Sequence, residues 1–385
     1  MKWNFAWQRH HSLARAAAEA GTAVVFVEPH LRSVRQILAR LARIARRGGG
    51  APPTQQVPGG VRILPWSPID LLPGATLRRI RRRLGAVGSL GAAGTAGAFG
   101  STGRFGSTSR PRSADAPDAP DPENLMVLQY VPSRRSLALA RQLRPRLLVY
   151  DRVLDWSRVP ADWYPPRHWQ RVEAALEREA RLSTDSAAMQ REWQNRGLDS
   201  LLILPAADDE FVRHEWAPPR SGAPIGYFGT VQEGIIDLPA IAEIAREHAV
   251  EIVGEVDEAS RAALLEAGAR LAPPVPVAEL PAIIDRWSAI LLPYRVGDRK
   301  DTLVPAKIWN ALASRRPVLT LGLSLPEQIA RHTVPLDGAA SIAAAADTAI
   351  ETAEPAPRSI PTWADAWQRL VGFASGSPRH PEPSR

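Results

Sequence analysis

The second half of this 385-residue chain alternates short apolar runs with amphipathic segments, and this alternation limits the possible fold more than any other feature. Short apolar runs between helical segments predict a parallel sheet covered by helices on both faces. The predicted strands are Pro224–Phe228, Val250–Val253, Ala289–Leu292 and Val318–Leu321, and the predicted helices are Leu238–His248, Glu258–Ala267, Val277–Arg286 and Val304–Ala313. We therefore predict one α/β domain over residues 224–374.

The first half shows the same alternation with an interruption. Residues 85–123 are rich in Gly, Ala, Ser, Thr and Pro, which predicts a disordered insertion. Around it we predict a first domain over residues 1–205, followed by a linker at 206–223, and a disordered tail at 375–385. The predicted strands are Thr22–Glu28, Val61–Pro65, Leu125–Tyr130, Leu147–Tyr150 and Ser200–Pro205, and the predicted helices are Gln8–Glu19, Leu31–Arg47, Ala75–Leu84, Ser133–Leu143 and Pro166–Ala180.

Composition excludes several classes of function. The chain has no cysteine, so disulfides, thiolate metal sites and cysteine nucleophiles are excluded. No apolar run is long enough for a membrane span, and the polar N-terminus does not match a signal peptide, so we expect a cytoplasmic protein. The net charge of +8 is uneven, because residues 1–123 hold 18 basic against 7 acidic side chains, whereas the remainder holds 30 against 33.

Four motifs of the second half carry a resemblance to a known family. They resemble, in order and spacing, the C-terminal domain of GT-B glycosyltransferases of the family 4 type, and among these the bacterial enzymes that build cell-surface polysaccharides, including the teichuronic-acid type. The first half adds WNFAWQRHHSLA, YDRVLDW and TDS in the expected order. The four motifs are IGYFGTVQEGIIDL at 225–238, IVGEV at 252–256, VPVAELPAIIDRWSAILLPY at 275–294 and TLVPAKIWNALASRRPVL at 302–319.

The resemblance implies an α/β GT-B fold, in which two doubly wound Rossmann-like domains enclose a cleft between the carboxyl ends of their sheets. It also implies transfer of a sugar from a nucleotide-diphosphate sugar, with retention of anomeric configuration and no protein nucleophile. The implied acceptor is a lipid-linked or polysaccharide-type molecule of the cell envelope. The sequence has no Asp-x-Asp motif, so we predict no metal site and no cofactor besides the nucleotide sugar.

The motif at 302–319 predicts the site for the donor diphosphate. Thr302 would cap a helix, and the N–H groups of Leu303 and Val304 would face the diphosphate at the positive end of that helix. Lys307 adds a charge, and Asn310 lies on the same helical face, where it could hold the ribose. The alternative is that Lys307 and Asn310 are solvated side chains of a surface helix.

Four further residues belong to the predicted donor site. Gly229 and Gly254 each follow a strand, where a missing side chain lets the backbone approach a ligand, although simple turns would also explain them. Tyr294 could stack on the base or close the core. Thr230 stands in the segment where many relatives carry basic residues.

The sequence also departs from the family at a glutamate pair. Thr302 and Asn310 occupy the positions of two glutamates that are usual in the family. These departures keep an alternative open, namely a GT-B-fold protein that binds a sugar nucleotide or a partner without turnover. A sugar-nucleotide epimerase on the same fold would need a dense set of carboxylates and histidines, which the sequence does not show.

Candidate catalytic side chains lie in the first half. His10, near the start of the first helix, could orient an acceptor hydroxyl, and adjacent His11 faces a different direction. Asp151 and Asp155 could act as acceptor-side or polarising residues, and the alternative is that they cap a helix or a turn. Their separation along a strand end and its loop does not fix a distance between the two carboxylates.

Two arginine-rich segments predict a further partner. The segment 31–47 combines an apolar stripe with six arginines, and 78–83 could extend it, so we predict contact with an anionic membrane at its inner face. An amphipathic helix packed on the sheet would also explain the segment. Aromatic residues are not interleaved with the arginines, so we do not expect nucleic-acid binding.

The start of the chain leaves one strand unaccounted for. Only seven residues precede the predicted helix at Gln8, and none of them forms a strand-like run. A parallel sheet without its first strand leaves backbone groups unpaired. We therefore expect the reading frame to begin upstream, by roughly ten residues or more, which the genomic sequence tests.

Overall fold

The computed structural model describes most of the chain in ten segments. The segment 31–47 and Thr302, which carry two of the predictions above, lie outside them. None of the helices within these segments is long and apolar enough to cross a lipid bilayer. The described residues are 9–27, 60–64, 74–91, 125–158, 168–219, 222–295, 303–336, 341–352, 357 and 359–376.

The chain divides into two compact units. The first unit contains residues 14–128 and 134–148, and the second contains 6–13, 129–133 and all residues from Val149 onward; residues 1–5 belong to the first. Helix α1 (Arg9–Glu19) and strands β3 (Met126–Gln129) and β4 (Leu147–Arg152) each contribute residues to both units.

The second unit contains a six-stranded parallel sheet whose order defines the fold. Its strands follow each other in space as β12-β11-β10-β7-β8-β9. Numbered from the first of them in the chain, this is the order 3-2-1-4-5-6 of dinucleotide-binding domains, which reverses between β7 and β10. The strands are β7 (Ile225–Phe228), β8 (Val250–Val253), β9 (Arg270–Ala272), β10 (Ala289–Pro293), β11 (Val318–Leu321) and β12 (Val334–Pro335).

The helices around this sheet begin at caps that the sequence encodes. Helix α7 (Leu238–Glu247) begins at Asp237, whose carboxylate accepts from the Ala240 N–H, and its apolar face buries Ile241 and Ile244. The other helices of the region are α8 (Glu258–Glu266), α9 (Leu280–Ile284, preceded by a 3₁₀ turn at Val277–Glu279), α10 (Ile308–Ala313), α11 (Glu327–Ala330), α12 (Ile342–Thr352) and α13 (Trp363–Ser375).

Two predicted helices of this domain are shorter than expected, because prolines interrupt them. The predicted helix Val277–Arg286 becomes a 3₁₀ turn followed by α9, with Pro276 before the turn and Pro281 in the first turn of α9. The predicted helix Val304–Ala313 was wrong in its first turn, since α10 begins at Ile308. Pro305 disfavours the helical region for Val304, so the chain enters the helix only after the proline.

The second unit also holds strands of the first half. The four-stranded sheet has the order β3-β4-β5-β6, in which β4, β5 and β6 pair in parallel. The predicted linker contains a one-turn helix with a buried Phe211. The elements are β5 (Arg181–Thr184), β6 (Ser200–Leu202), α4 (Trp169–Glu179), α5 (Ala187–Asn195) and α6 (Asp209–Val212).

The first unit is built from a strand pair and two basic helices. Strands β1 (Val24–Val27) and β2 (Val61–Leu64) pair in parallel, and helices α2 (Ala75–Gly91) and α3 (Arg134–Leu143) accompany them. Residues 85–91 are helical, so the predicted disordered insertion was wrong over its first seven residues. Extending an existing helix adds a hydrogen bond per residue without a new nucleation step, which offsets the cost of the glycines.

Candidate functional site

The loops after β7 and β8 meet backbone to backbone at the carboxyl edge of the six-stranded sheet. The Gly229 N–H donates to the Val253 carbonyl over 2.9 Å, and the Val231 N–H donates to the Glu255 carbonyl over 2.7 Å. A Cβ atom on Gly254, whose φ is +155°, would lie 1.9 Å from the Gly229 oxygen. The structure thus brings the two predicted glycines together, and the neighbouring loop leaves no space for a side chain at Gly254.

Lys307 reaches this same edge. Its Nζ atom donates to the Phe228 carbonyl over 2.6 Å and lies 4.1 Å from the centroid of the Tyr227 ring. A Cβ atom on Gly229 would approach Nζ to 2.4 Å, so glycine at 229 leaves room for the ammonium group. Lys307 therefore lies where the strand order of the sheet reverses, which is the place where folds of this type bind ligands.

The charge of Lys307 has no acidic partner in the described part of the chain. Burial lowers the pKa of Lys307 to about 7. A desolvated cation without a carboxylate is unfavourable, and its ring contact supplies only a modest attraction. An anion bound at this edge would restore the favourable charged form, so the geometry suits an anionic ligand.

The helix N-terminus that the sequence predicted at Thr302 is not formed at Leu303 and Val304. Both residues are half-buried and lie in an irregular segment before Pro305, and α10 has only six residues. Lys307 itself precedes the first helical residue, and its carbonyl accepts from the Ala311 N–H over 2.9 Å. The cation at this edge therefore comes from a side chain, and the predicted pair of helix N–H donors at 303 and 304 is corrected.

Asn310 holds the linker instead of facing an open site. Its Oδ1 atom accepts from the Asp208 N–H over 2.7 Å, and its Nδ2 atom donates to Asp208 Oδ2 over 2.9 Å. The hydroxyl of Ser12 donates to Asp208 Oδ1 over 2.8 Å, and all three residues are buried. Asp208 was not predicted as a site residue, because it lies 102 residues from Asn310.

Tyr294 and Thr230 flank the edge in different ways. Tyr294 is buried, its N–H donates to the Leu321 carbonyl over 3.0 Å, and burial raises the pKa of its phenol. These contacts favour the alternative in which Tyr294 closes the core. Thr230 is half-buried, and its carbonyl accepts from the Tyr227 hydroxyl over 2.8 Å, which helps to hold the ring beneath Lys307.

A pocket of about 480 Å³ opens beyond Gly254, at the ends of β8 and β9. Its walls combine apolar and proline side chains with one basic and one acidic group. This pocket was not predicted from the sequence, although the consecutive prolines after an apolar run mark a strand end at a sheet edge. It is lined by Gly254, Glu255, Val256, Arg261, Leu271, Ala272, Pro273 and Pro274.

Asp151, one of the candidate catalytic acids, is fully buried in an ion pair. The guanidinium group of Arg9 donates from Nε to Oδ2 over 2.9 Å and from Nη2 to Oδ1 over 3.1 Å. The Ser183 hydroxyl donates to Oδ1 over 2.8 Å, and Arg9 also donates to the Ile203 carbonyl over 2.6 Å. Catalysis by Asp151 stays a prediction, and these contacts favour a structural role.

Asp155 stands in the loop after β4, apart from this pair. Its carboxylate accepts from the backbone N–H and the hydroxyl of Ser157, over 3.0 and 2.6 Å. It also forms ion pairs with Arg152 and Arg158. These are the contacts of a turn acid, which is the alternative that the sequence left open.

His10 is buried beside two other rings. Its ring centroid lies 4.2 Å from that of His11 and 5.6 Å from that of Tyr130. Burial, followed by the charges of His11 and Arg9, lowers the pKa of His10 well below its usual range, so the imidazole is neutral near pH 7. A neutral imidazole can accept a proton from a hydroxyl group, and the predicted role of His10 therefore stays chemically possible.

Asp185 is an acid that the sequence analysis did not select. It follows β5, and burial raises its pKa to about 7, against the opposing charge of Arg9 and together with the like charge of Asp151. Its only indication in the sequence was the TDS motif at 184–186. Within the described segments, no three His, Asp or Glu side chains come together as metal ligands.

No family model and no curated protein matches the chain. Among solved structures it is similar to AviGT4, a glycosyltransferase involved in avilamycin A biosynthesis, with 13% identity, a TM-score of 0.52, and coverage of 95% of this chain and 89% of that chain. Another similar structure is Alr3699/HepE of Anabaena in complex with UDP and glucose, with 11% identity, a TM-score of 0.45, and coverage of 92% and 100%.

The likeness to AviGT4 and the 3-2-1-4-5-6 strand order agree on the fold. The chain has the α/β GT-B fold that the sequence predicts, consistent with two Rossmann-like domains. The assignment to the family 4 type stays a prediction.

Proposed function

We propose that this chain is a glycosyltransferase that binds a nucleotide-diphosphate sugar at the carboxyl edge of its six-stranded sheet. The observation that carries the proposal is the Lys307 ammonium group, which lies at the switch point of the sheet without a carboxylate in the described residues. A diphosphate supplies the missing negative charge and accepts hydrogen bonds from the ammonium group. The sequence resemblance supports this class of donor, and the fold shared with AviGT4, a glycosyltransferase, supports the class of enzyme.

The pocket beyond Gly254 supports a ligand with an extended, partly apolar end. Leu271, Pro273 and Pro274 give it apolar walls, and Arg261 and Glu255 offer polar contacts at its rim. Flat apolar walls with a few polar groups suit a nucleobase. In this arrangement the base occupies the pocket, and the diphosphate lies toward Gly229 and Lys307.

The proposed reaction is metal-independent transfer with retention, to a lipid-linked or polysaccharide-type acceptor of the cell envelope. The absence of an Asp-x-Asp motif and the family resemblance support it. Lys307 would stabilise the charge that develops on the departing diphosphate, whose oxygen takes the proton of the acceptor hydroxyl. His10, which is a neutral imidazole near pH 7, would orient that hydroxyl, as predicted from the sequence.

The test is calorimetric titration of the protein with UDP, GDP and dTDP, using Lys307→Met and the matched control Arg246→Met. Arg246 is exposed in the last turn of α7, and this helix runs from the carboxyl edge of the sheet back toward the amino edge. The control therefore removes one charge far from the proposed donor site. A hydrogen bond to a charged group contributes about 1.5–3 kcal/mol, so Lys307→Met should weaken binding on the order of 10- to 100-fold.

The control variant should bind as the unchanged protein does. If the unchanged protein binds none of the three nucleotides, the proposed donor site is refuted. Equal affinity of Lys307→Met and the unchanged protein would refute the assignment of Lys307.

A second function is favoured by the contacts of Asn310. Because its amide group is committed to Asp208, this polar group is not available to a ligand in the structure. A protein that binds a sugar nucleotide without turnover fits this observation. Release of free UDP, GDP or dTDP from the corresponding sugar nucleotides, in the presence of acceptor extracts, separates the two functions, since a non-catalytic protein binds but releases nothing.

A further inference from the structure

The first unit carries a strongly basic surface that the donor site does not use. Its described residues contain twelve arginines and a single acidic residue, Glu19, which forms an ion pair with Arg15. We define the arginine surface as the exposed arginines of α2 together with the two at the start of α3. They are Arg78, Arg81, Arg82, Arg83, Arg134 and Arg135.

The two helices of this surface are in contact. The Arg81 guanidinium group donates from Nη2 to the Gln142 carbonyl over 3.5 Å, which joins α2 to α3. The inner face of α2 is buried through Ala75 and Ile80, so the helix is fixed to its unit and turns its arginines outward. The positive charges are therefore held together on a folded surface.

Helix electrostatics do not explain these arginines. The N-terminus of a helix carries a partial positive charge, which favours acidic side chains and disfavours basic ones. Arg134 and Arg135 nevertheless open α3, and neither α2 nor α3 has an acidic residue in its first turn. At Arg134 and Arg135 the positive charge is unfavourable for the helix itself, and an external anionic partner would compensate it.

The apolar residues among the arginines indicate which anion fits. Leu77, Arg81 and Leu84 are spaced i, i+4 and i+7, so they share one side of α2, and both leucines are half-exposed beside the arginines. A lipid bilayer offers anionic headgroups to arginines and acyl chains to leucines. A nucleic acid would instead favour aromatic side chains for stacking, and Phe26, in strand β1, is the only aromatic residue in the described part of this unit.

We propose that the arginine surface of α2 and α3 docks on an anionic lipid bilayer. The proposal extends the sequence prediction for 78–83 to α3 and does not depend on the identity of the donor. Each arginine near an anionic bilayer surface contributes about 1 kcal/mol, so removing three of them should weaken binding on the order of 100-fold.

The experiment is co-sedimentation of the full chain with vesicles of phosphatidylcholine alone, and with vesicles that also contain phosphatidylglycerol. The test variant is Arg81→Gln/Arg82→Gln/Arg83→Gln. The matched control, Arg191→Gln/Arg246→Gln/Arg270→Gln, removes the same charge from exposed positions of the second unit. Thermal unfolding of both variants shows whether either has lost its fold.

We expect binding only to vesicles with phosphatidylglycerol, weakening with salt, lost in the test variant and kept in the control. A second variant, Leu77→Ser/Leu84→Ser, should weaken vesicle binding while leaving binding to the soluble polyanion heparin unchanged. Equal binding to both kinds of vesicle, or equal loss in the control, would overturn the proposal. So would binding to heparin or oligonucleotides without binding to vesicles.

Discussion

Arg9 is a buried cation and Lys307 a partly buried one, each beside strand ends, and they differ in their partners. The guanidinium group of Arg9 meets the Asp151 carboxylate, whereas Lys307, among the described residues, meets a carbonyl and the rings of Tyr227 and Phe228. Burial lowers the pKa of Arg9, but the Asp151 charge raises it, and the net shift is upward. For Lys307 burial acts alone, and its pKa falls to about 7.

The comparison separates a structural ion pair from the proposed binding site. The Arg9–Asp151 pair satisfies its own charges, so removing one partner harms the fold and leaves no role for a ligand. Lys307 has no carboxylate partner among the described residues, so under the proposed function its removal should harm binding more than folding. The sequence alone ranked both regions as candidate sites, and only the contacts distinguish them.

The largest expected loss of stability comes from breaking the ion pair between Arg9 and Asp151. Asp151→Ala leaves the Arg9 charge buried and unpaired, which should lower the free energy of unfolding by about 3–5 kcal/mol, as measured by urea denaturation. The double variant Arg9→Met/Asp151→Leu removes both charges together and should be much less destabilising. If Asp151→Ala abolished turnover while stability stayed unchanged, the catalytic prediction for Asp151 would be revived.

A smaller effect is expected at the Asn310–Asp208 contact. Asn310→Ala removes an acceptor and a donor from the buried groups of Asp208, which should cost about 1–3 kcal/mol of stability. Asn310→Asp should cost more, because it places two carboxylates together. Under conditions where Asn310→Ala is folded, its affinity for UDP should match that of the unchanged protein. A specific fall in UDP affinity would instead support the ribose role predicted from the sequence.

Lys307, which has no acidic partner among the described residues, should make the free energy of unfolding depend on pH. Because the folded-state pKa of Lys307 is about 7 and its ordinary value is 10.5, the unfolded chain binds more protons between these values. The free energy of unfolding therefore rises as the pH increases from about 7 to 10.5. Lys307→Met should be more stable than the unchanged protein near pH 7, by about 1 kcal/mol since the side chain is half-exposed. The difference should shrink toward pH 10.5, and a pH-independent difference would contradict the lowered pKa.

The smallest expected effect is at Asp185, which interacts with the charges of Arg9 and Asp151. Its contribution to stability changes with pH in the opposite direction to that of Lys307. The pKa of Asp185 is raised from 3.8 to about 7, so the folded state binds more protons between these values, and stability falls as pH rises through them. Asp185→Asn should remove this slope, with a change of about 1 kcal/mol or less. Denaturation curves at several pH values test it, with Asp209→Asn, a partly exposed acid in an ion pair with Arg213, as the control.

The sequence predicted the local parts of the fold and missed the long-range ones. Strands β8 and β11 have the predicted bounds, because each is a short, mostly apolar and fully buried run with a single polar residue, Glu251 in β8 and Thr320 in β11. Strands β9 and β12 were missed, since three and two residues carry no periodicity. The start of α10 was misplaced because the helical pattern outweighed Pro305 in the prediction.

The candidate site shows the same division. Gly229, Gly254 and Lys307 were selected from one family-like pattern, and the structure brings them together. Asp208 was missed because its partner Asn310 is distant in the chain, and the pocket was missed because it forms only when β8 and β9 pair. Contacts between residues that are distant in sequence depend on the whole packing arrangement, which composition and spacing do not encode locally.

The hydrogen bonds between the loops after β7 and β8 have a consequence for ligand size. They continue past the strands, from Gly229 to Val253 and on to an Asp257 N–H that donates to the Val231 carbonyl over 3.2 Å. The two loops are therefore joined beyond their strands, with the Lys307 ammonium group beside Gly229 and the pocket beside Gly254. If the proposed donor fills the pocket and also meets Lys307, we expect a nucleoside monophosphate to bind more weakly than the diphosphate.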